Sequence, residues 1–478
     1  MKEKKEFTQC SVPGAILMTI FMVLAVLIGV SWLKIDLIVA MFASIFVAIL
    51  ILMAQGAKWE MFESCFEEAG RIATSPTVIL LVVGCLIGSW MACGTIPSII
   101  YWGLHIINPK FFLVTAFLMC ALVSTMIGSS ISTVATIGIA LVAMGQVMGI
   151  NICWIGGAIV SGSYFGDKMS PMSDTTNLAP AVSEANIFDH IKSMAYTTIP
   201  AAVICIIIFM LMGIKGGNGN TTSAEIEEML QLLDSNFKIS YICLIPPILL
   251  LALNFLKIPA IPALMANVLV SSLIAMLLQG HSFMDMMSVL YGGLSVDYGN
   301  AAVNRLLQRG GASYMFWTVI VGIQSVAFGV ILERAGVFKA FIEKIAFAMK
   351  TEGRLQCTTV LSCILVNILT GEQYMSIVLP GKMYVQEYKE KGLLPQVLSR
   401  ALEGGGTVTA PLIPWNQGGL NCTRLMGIST YQYMPFAFLC WILPVIEIIC
   451  GFTGKFMWHT GDIPSQKTYA DVKENQHA

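Results

Sequence analysis

The sequence predicts an all-α polytopic membrane protein with two inverted structural repeats, broken helices or re-entrant hairpins, and about 11–13 membrane segments. Hydrophobic residues make up 56% of the 478 residues and charged residues only 12%, whereas soluble proteins carry about 25% charged residues. Apolar runs long enough to cross a bilayer recur along the chain. Polar breaks with glycine or proline interrupt these runs in both halves, a pattern typical of secondary transporters.

The apolar runs define the candidate spans. Three lysines precede the first run, which favours a cytoplasmic N-terminus in a multi-pass protein of the cell inner membrane. That run is longer than a signal-peptide core of about 7–15 residues, so we expect it to remain as a span. Segments 57–73 and 335–350 are amphipathic and predict helices in the membrane interface. The candidate spans are 12–33, 35–54, 76–95, 111–127, 131–148, 152–165, 193–213, 239–256, 259–279, 313–332, 353–370, 373–387 and 430–453.

An internal repeat predicts how the chain is organised. At an offset of 243 residues, Gly128 aligns with Gly371, and Pro171 with Pro414. Because this offset is shared by two separate helix breaks, it indicates two related halves. The predicted units are a first membrane repeat (1–212), a polar connecting loop (213–238), a second membrane repeat (239–455) and a polar C-terminal tail (456–478).

Four breaks carry the polar chemistry, and each is rich in oxygen donors. Irregular polar backbone at membrane depth persists only where protein buries it or where it lines a water-filled cavity. Oxygen donors without a cluster of soft ligands suit a hard cation such as Na⁺. The breaks lie at 124–130, 162–177, 369–373 and 404–417.

Asp167 and Asp174, in the second break, are the main candidates for the ion site. Acidic residues within membrane segments are costly and usually functional. A carboxylate there can hold either Na⁺ or a proton. If the two ions exclude each other at one carboxylate, this competition is enough to generate exchange of Na⁺ for H⁺. We therefore expect Na⁺ at Asp174 and Asp167. The alternative is that one of the two caps a half-helix or pairs with Lys168, and Asp174 is well placed for N-capping.

Further oxygen donors are predicted to support this site. At the repeat offset, Asp167 aligns with Ala410 and Asp174 with Gln417, neither of which can ionise. The ionisable groups at this pair of breaks therefore lie in the first half. For Glu372 a capping role is equally compatible with the sequence, and the threonines and asparagines are as suited to satisfying loop backbone. The supporting candidates are Ser129, Ser130, Thr175, Thr176 and Asn177 in the first half and Glu372, Thr407 and Asn416 in the second.

Three motifs resemble the NhaC family of sodium/proton antiporters: Phe165–Ala179, Gly371–Gly381 and Gly406–Asn416. The segment Leu306–Gly311 is also similar, and the resemblance extends over about residues 12–455. It implies an inverted-repeat bundle that couples inward Na⁺ movement to outward movement of H⁺ or another solute. Some members of the family exchange protonated malate for sodium and lactate.

Two positions depart from the family pattern. Gly404 follows Glu403 where the family has an acidic residue, and Arg424 stands where a small residue is expected. Arg424 is able to bind a carboxylate through its guanidinium, although an arginine at a helix end that faces lipid headgroups is the favoured interpretation. These departures leave room for a small organic acid or an amino acid as the second substrate.

The sequence therefore favours a secondary active transporter, most simply a Na⁺/H⁺ antiporter that works by alternating access. The alternative is Na⁺-coupled exchange of a small carboxylate, of the malate/lactate type, or of an amino acid. A passive channel is less favoured, because channel filters use rings of carbonyls or charged side chains. A nucleotide-binding P-loop is absent and the net charge is −1, so neither ATP hydrolysis nor nucleic-acid binding is indicated. We expect no enzymatic activity and no cofactor, with the lipid bilayer, Na⁺ and H⁺ as partners and a homodimer as an open alternative.

Overall fold

The computed structural model describes residues 10–30, 32–216, 223–256, 258–296, 304, 308, 310–337 and 350–460. The regular elements of this part of the chain are helices, and one isolated antiparallel bridge joins Leu393 to His459. Nine of the described helices are long and apolar enough to cross a membrane, and the count reaches 11 if two bent pairs are each one span. The predicted all-α membrane fold is confirmed.

The described part of the chain contains nineteen helices of eight or more residues. In chain order they are α1 Val12–Val30, α2 Leu37–Ala54, α3 Trp59–Ala92, α4 Thr95–Ile106, α5 Pro109–Ile127, α6 Ser130–Val147, α7 Ile152–Met169, α8 Asp174–Ser183, α9 Ile187–Gly216, α10 Ser223–Asn236, α11 Ile245–Phe255, α12 Ala260–Gln279, α13 Phe283–Gly292, α14 Ala312–Arg334, α15 Glu352–Thr370, α16 Gln373–Glu390, α17 Pro395–Leu402, α18 Gln417–Met426 and α19 Phe438–Thr453.

The first half of the chain differs from the prediction at α3. The predicted interfacial helix 57–73 and the span 76–95 form one helix of 34 residues, with Pro76 inside it. The prediction of two elements is wrong because a proline removes one backbone hydrogen bond but need not end a membrane helix. The other predicted interfacial helix, 335–350, falls mostly on residues 338–349, outside the described residues.

The segment predicted as a polar loop, 213–238, is largely helical where it is described. Helix α9 runs on to Gly216, and α10 occupies Ser223–Asn236. Leu230–Asn236 and Tyr241–Leu253 form one of the two bent pairs, with an angle of 97° between them. Helix α10 is too short and too charged to appear as an apolar membrane run, although its apolar residues recur at the i, i+3, i+4 and i+7 spacing of an amphipathic helix.

Two of the predicted breaks have the same local structure. Helix α5 ends at Gly128, whose φ is 73°, and Ser129 then caps α6 by accepting a hydrogen bond from the amide of Ser132. In the second half, α15 ends at Gly371 with φ 62°, and Glu372 caps α16. This order of helix, left-handed glycine and capping residue recurs at the predicted offset. The inverted relation of the two halves stays a prediction.

The second break is shorter than predicted. Helix α7 continues to Met169, so only residues 170–173 separate it from α8. The polar residues of α7 tolerate helical structure because the helix is buried in protein. Gly162 and Gly166 allow this close packing, since a Cβ on either would collide with backbone carbonyls of α5, those of Phe117 and Ala121 respectively.

In the fourth break, α17 leads into a π-helical segment, Glu403–Thr407, and a short 3₁₀ turn, Ala410–Leu412. Asn416 then caps α18, because its side-chain oxygen accepts a hydrogen bond of 2.9 Å from the amide of Gly418. The four breaks therefore end in new helix N-termini at Ser130, Asp174, Gln373 and Gln417.

The close packing around Gly128 generates a prediction. Gly128→Ala would place a Cβ 2.7 Å from the carbonyl carbon of Met172, whereas Gly280, with φ 85°, has no atom of a described residue within 4 Å of its Cβ position. Both alanines must adopt the left-handed conformation, which costs on the order of 1–3 kcal/mol, but only Gly128→Ala also meets backbone. We expect Gly128→Ala to lower the unfolding temperature in detergent clearly more than Gly280→Ala does. Equal shifts for the two variants would contradict this packing.

Candidate ion-binding site

A cavity of about 70 Å³ lies where the four breaks meet. One water needs about 10–15 Å³ of such space, so the cavity has room for several waters or a partly hydrated ion. Each break contributes to its wall. The lining residues are Gly128, Ser129, Ser130, Ile131, Asp167, Ser173, Asp174, Thr175, Glu372, Gln373, Tyr374, Gln417 and Gly418.

Asp167 is the deep carboxylate of this cavity. It is buried near the C-terminal end of α7. Its Oδ2 accepts hydrogen bonds from the amide and the hydroxyl of Ser130, at 3.1 and 2.6 Å. Its Oδ1 accepts a hydrogen bond of 2.6 Å from the hydroxyl of Ser173. An ionised carboxylate offers about four acceptor sites, so these three bonds fix its orientation and leave capacity for one more partner.

Asp174 occupies the exposed side of the cavity, at the first position of α8. Tyr374, from the second half of the chain, donates a hydrogen bond of 3.4 Å to its Oδ2. The capping role considered for Asp174 belongs to Ser173, whose hydroxyl faces the amide of Thr176. A carboxylate in the first turn is favoured by the helix dipole, and it remains free to meet a cation that enters.

Glu372 faces the cavity from the N-terminus of α16. Its Oε2 accepts a hydrogen bond of 2.9 Å from the amide of Met375, so it caps the helix and lines the cavity at once. The two interpretations left open by the sequence are therefore compatible. Among the predicted supporting residues, Ser129, Ser130 and Thr175 also line the cavity.

Two predicted residues of the second break hold its backbone and lie outside the cavity wall. The hydroxyl of Thr176 donates hydrogen bonds to the carbonyls of Asp167 and Lys168, at 3.2 and 3.0 Å. The amide of Asn177 donates to the carbonyls of Pro171 and Ser173, at 3.0 and 2.7 Å. Both contacts keep α7 and α8 in place around Asp167.

Asn416 and Thr407 also lie outside the cavity wall. Besides capping α18, Asn416 donates a hydrogen bond of 3.0 Å to the side-chain oxygen of Asn367 on α15. Thr407 is fully buried, and its hydroxyl has no hydrogen-bond partner among the described residues. Asn416 therefore stabilises the fold by holding α18 against α15. The Thr407 hydroxyl remains available to bind a ligand.

Arg424 lies apart from the cavity, near the C-terminus of α18. Its Nε donates a hydrogen bond of 2.5 Å to the carbonyl of Tyr314, and its guanidinium carbon lies 3.8 Å from the centre of the Tyr314 ring. The Tyr314 hydroxyl in turn donates to the Arg424 carbonyl at 3.1 Å. A role for Arg424 in binding a carboxylate within this cavity has no support from its position.

Several lining residues escaped the sequence analysis, namely Ser173, Gln373, Tyr374, Gln417 and Gly418. They share a feature that the sequence does carry, because each is the capping residue or lies in the first turn of a helix that begins at a break. Amide groups of such turns have no partner within their own helix, so first turns converge where polar ligands are bound.

Known proteins resemble this chain over most of its length. The model of the Na⁺/H⁺ antiporter family matches residues 162–455. The chain is 36% identical to the Na⁺/H⁺ antiporter NhaC of Alkalihalophilus pseudofirmus over 397 aligned residues. This aligned region covers 83% of this chain and 86% of that protein. The chain belongs to the Na⁺/H⁺ antiporter family. The resemblance seen in the motifs is confirmed, and with its apolar helices the chain is a multi-pass protein of the cell membrane, as predicted.

Other relatives in this family bear different names. The chain is 34% identical over 421 residues to the malate-2H⁺/Na⁺-lactate antiporter of Bacillus subtilis, covering 88% of this chain and 90% of that protein. It is also 34% identical to the arginine/ornithine antiporter ArcD of Halobacterium salinarum over 419 aligned residues, which cover 87% of this chain and 86% of that protein. These relatives differ in the solutes for which they are named, so membership of the family does not by itself define the transported solute of this chain.

Proposed function

We propose that the protein is a secondary active transporter that exchanges Na⁺ for H⁺ across the membrane by alternating access. One observation carries this proposal. The cavity at the helix breaks is lined by three carboxylates, those of Asp167, Asp174 and Glu372, and none of its described lining residues is basic. An acidic, oxygen-lined cavity in a membrane protein favours a hard cation over an anion.

Asp167 is the residue at which the two ions compete. The hydrogen bonds from Ser130 and Ser173 hold its carboxylate in one orientation. A proton or a Na⁺ ion then takes the remaining acceptor capacity, but not both together. The hydroxyl oxygens of Ser129, Ser130 and Thr175 complete the coordination of Na⁺ from the cavity wall.

Asp174 receives the cation on the exposed side. A negative charge there raises the local concentration of cations. A cation that binds Asp174 competes with the Tyr374 hydroxyl for Oδ2. Because Tyr374 and Asp174 belong to different halves of the chain, loading the cavity changes a contact between the halves.

Obligatory exchange follows from the cost of burying charge. A carboxylate without a counter-charge is expensive in the membrane interior. We expect the cavity to change its accessible side when Asp167 holds either Na⁺ or H⁺, and not when it is empty. Movement of one ion is thereby coupled to return of the other.

Exchange of a small carboxylate or amino acid remains the alternative, supported by the names of two relatives. A carboxylate cargo would need a positive partner in the cavity, and Arg424 binds Tyr314 instead. A passive channel is again less favoured, because side chains from four breaks line the cavity and do not form a ring of carbonyls or charged groups.

Asp174→Asn tests the proposal. The amide keeps the size of the side chain but lacks the negative charge that attracts Na⁺ to the exposed side of the cavity. We expect this variant to abolish Na⁺-dependent proton movement in proteoliposomes, measured with an internal pH dye. Asp234→Asn, at an exposed position on α10, is the control and should behave as the wild type. Near-normal exchange by Asp174→Asn would refute the role given to Asp174.

Arg424→Ala distinguishes the main proposal from its alternative. Because the side chain binds Tyr314 outside the cavity, we expect the KM for Na⁺ to stay within about twofold of the wild type, less than 0.5 kcal/mol. Uptake of labelled malate, lactate and basic amino acids should be absent from both proteins. Arg334→Ala, at a surface ion pair with Glu68, controls for loss of an arginine. Labelled uptake by the wild type that Arg424→Ala loses would favour the organic solute.

A further inference from the structure

Four acidic side chains in the described part of the chain are buried: Asp167, Glu372, Glu403 and Glu447. Three of them accept hydrogen bonds. Glu403 is different, because it is fully buried and neither of its carboxylate oxygens has a well-aligned hydrogen-bond partner among the described residues. Burying a carboxylate without partners costs several kcal/mol in proteins. A buried carboxylate in this state indicates a role beyond stabilising the fold.

Glu447 shows how the same fold satisfies a buried acid whose role is structural. Its Oε2 accepts hydrogen bonds from Arg400 at 3.0 Å and from Gln356 at 3.2 Å. Its Oε1 accepts a hydrogen bond of 2.7 Å from the hydroxyl of Thr197. Charge and lone pairs are thus both matched at Glu447, and neither is matched in this way at Glu403.

The groups around Glu403 are polar and equally unsatisfied. The hydroxyl of Thr407, at the other end of the π-helical segment, lies beside the carboxylate but makes no well-aligned hydrogen bond. The ammonium of Lys168 is within electrostatic range of Glu403, and it too is fully buried, with no hydrogen-bond partner in the part of the chain that the structure describes. Segments of π-helix occur frequently at functional sites.

Thr175 connects this group to the cavity. Its side chain lines the cavity and also lies beside the carboxylate of Glu403. Asp167 is within electrostatic range of the same carboxylate. The Glu403 group is therefore adjacent to the proposed ion site, on its inner side, and is not a distant structural cluster.

Close packing fixes the segment that carries Glu403. A Cβ on Gly404 would lie 2.6 Å from Cγ of Glu447, and one on Gly406 would lie 2.7 Å from the hydroxyl oxygen of Ser376. An acidic side chain at position 404, expected from the family pattern, has no space here. The glycines leave Glu403 and Thr407 as the side chains with oxygen atoms in this segment.

We propose that Glu403, with the hydroxyls of Thr407 and Thr175, forms an inner site for a second hard monovalent cation such as Na⁺. Lys168 is the tethered cation that balances Glu403 when no Na⁺ is bound there, since its ammonium sits on a long flexible stem. The donors are all oxygens, as Na⁺ requires. This inference rests on the proposed function, because Na⁺ reaches the inner site through the same cavity.

Equilibrium binding of radioactive sodium to the purified full-length protein in detergent tests this site. We expect the wild type to bind one more Na⁺ per chain at saturation than Glu403→Gln does. Lys168→Met removes the competing ammonium, and we expect it to tighten binding at the inner site about tenfold or more. Unchanged stoichiometry in Glu403→Gln, or loss of all bound Na⁺ from that variant while it remains folded, would overturn the proposal.

If Glu403→Gln does not fold, two threonine variants test the inner site instead. Thr407→Val should weaken binding at the inner site about tenfold. Thr198→Val is the matched control, because Thr198 is also a fully buried threonine whose hydroxyl has no hydrogen-bond partner among the residues described, but it lies on α9. Equal affinities for the two variants would overturn the inner site. A wild type that exchanges Na⁺ for H⁺ but binds a single Na⁺ refutes only the inner site, whereas a wild type that binds none refutes the proposed function.

Discussion

The structure depends on one constraint: a carboxylate inside a membrane protein must be matched by donors or by a counter-charge at all times. Asp167 meets this constraint partly through Ser130 and Ser173, and Glu447 meets it fully through Arg400 and its neighbours. The remaining acceptor site of the Asp167 carboxylate is available to a transported ion. In this account, coupling between Na⁺ and H⁺ is a consequence of that incomplete matching.

Broken helices make the partial matching possible. An unbroken helix uses its amides internally, whereas the first turn of a new helix has amides to spare. The left-handed conformation of Gly128 ends α5 at the depth of Asp167, and the amide and hydroxyl of Ser130 in the next helix then bind the carboxylate. Gly371 and Glu372 place the corresponding turn of the second half against the same cavity. The site is thus shared by elements distant in sequence.

The breaks and the two aspartates were predictable because polar residues and glycines interrupt the apolar runs. Such polar, irregular backbone is not tolerated in contact with lipid. The extent of each break was not predictable. Helix α7 continues through Lys168, because burial by α5 removes the need to unwind. Tyr374 and Glu403 were missed for a related reason, since their importance depends on which distant side chains face them. Periodicity reports the polarity of a residue but not its partner in the folded protein.

The central claim is that Na⁺ and H⁺ exclude each other at Asp167. Its most direct test is the release of protons when Na⁺ is added to weakly buffered, purified protein. A bound cation favours the charged form of a carboxylate, so the wild type should release up to about one proton for each Na⁺ bound in the cavity, and more completely at lower pH, where more of the carboxylate starts protonated. Asp167→Asn should release none. Saturable Na⁺ binding by the wild type without proton release at any pH would contradict the account.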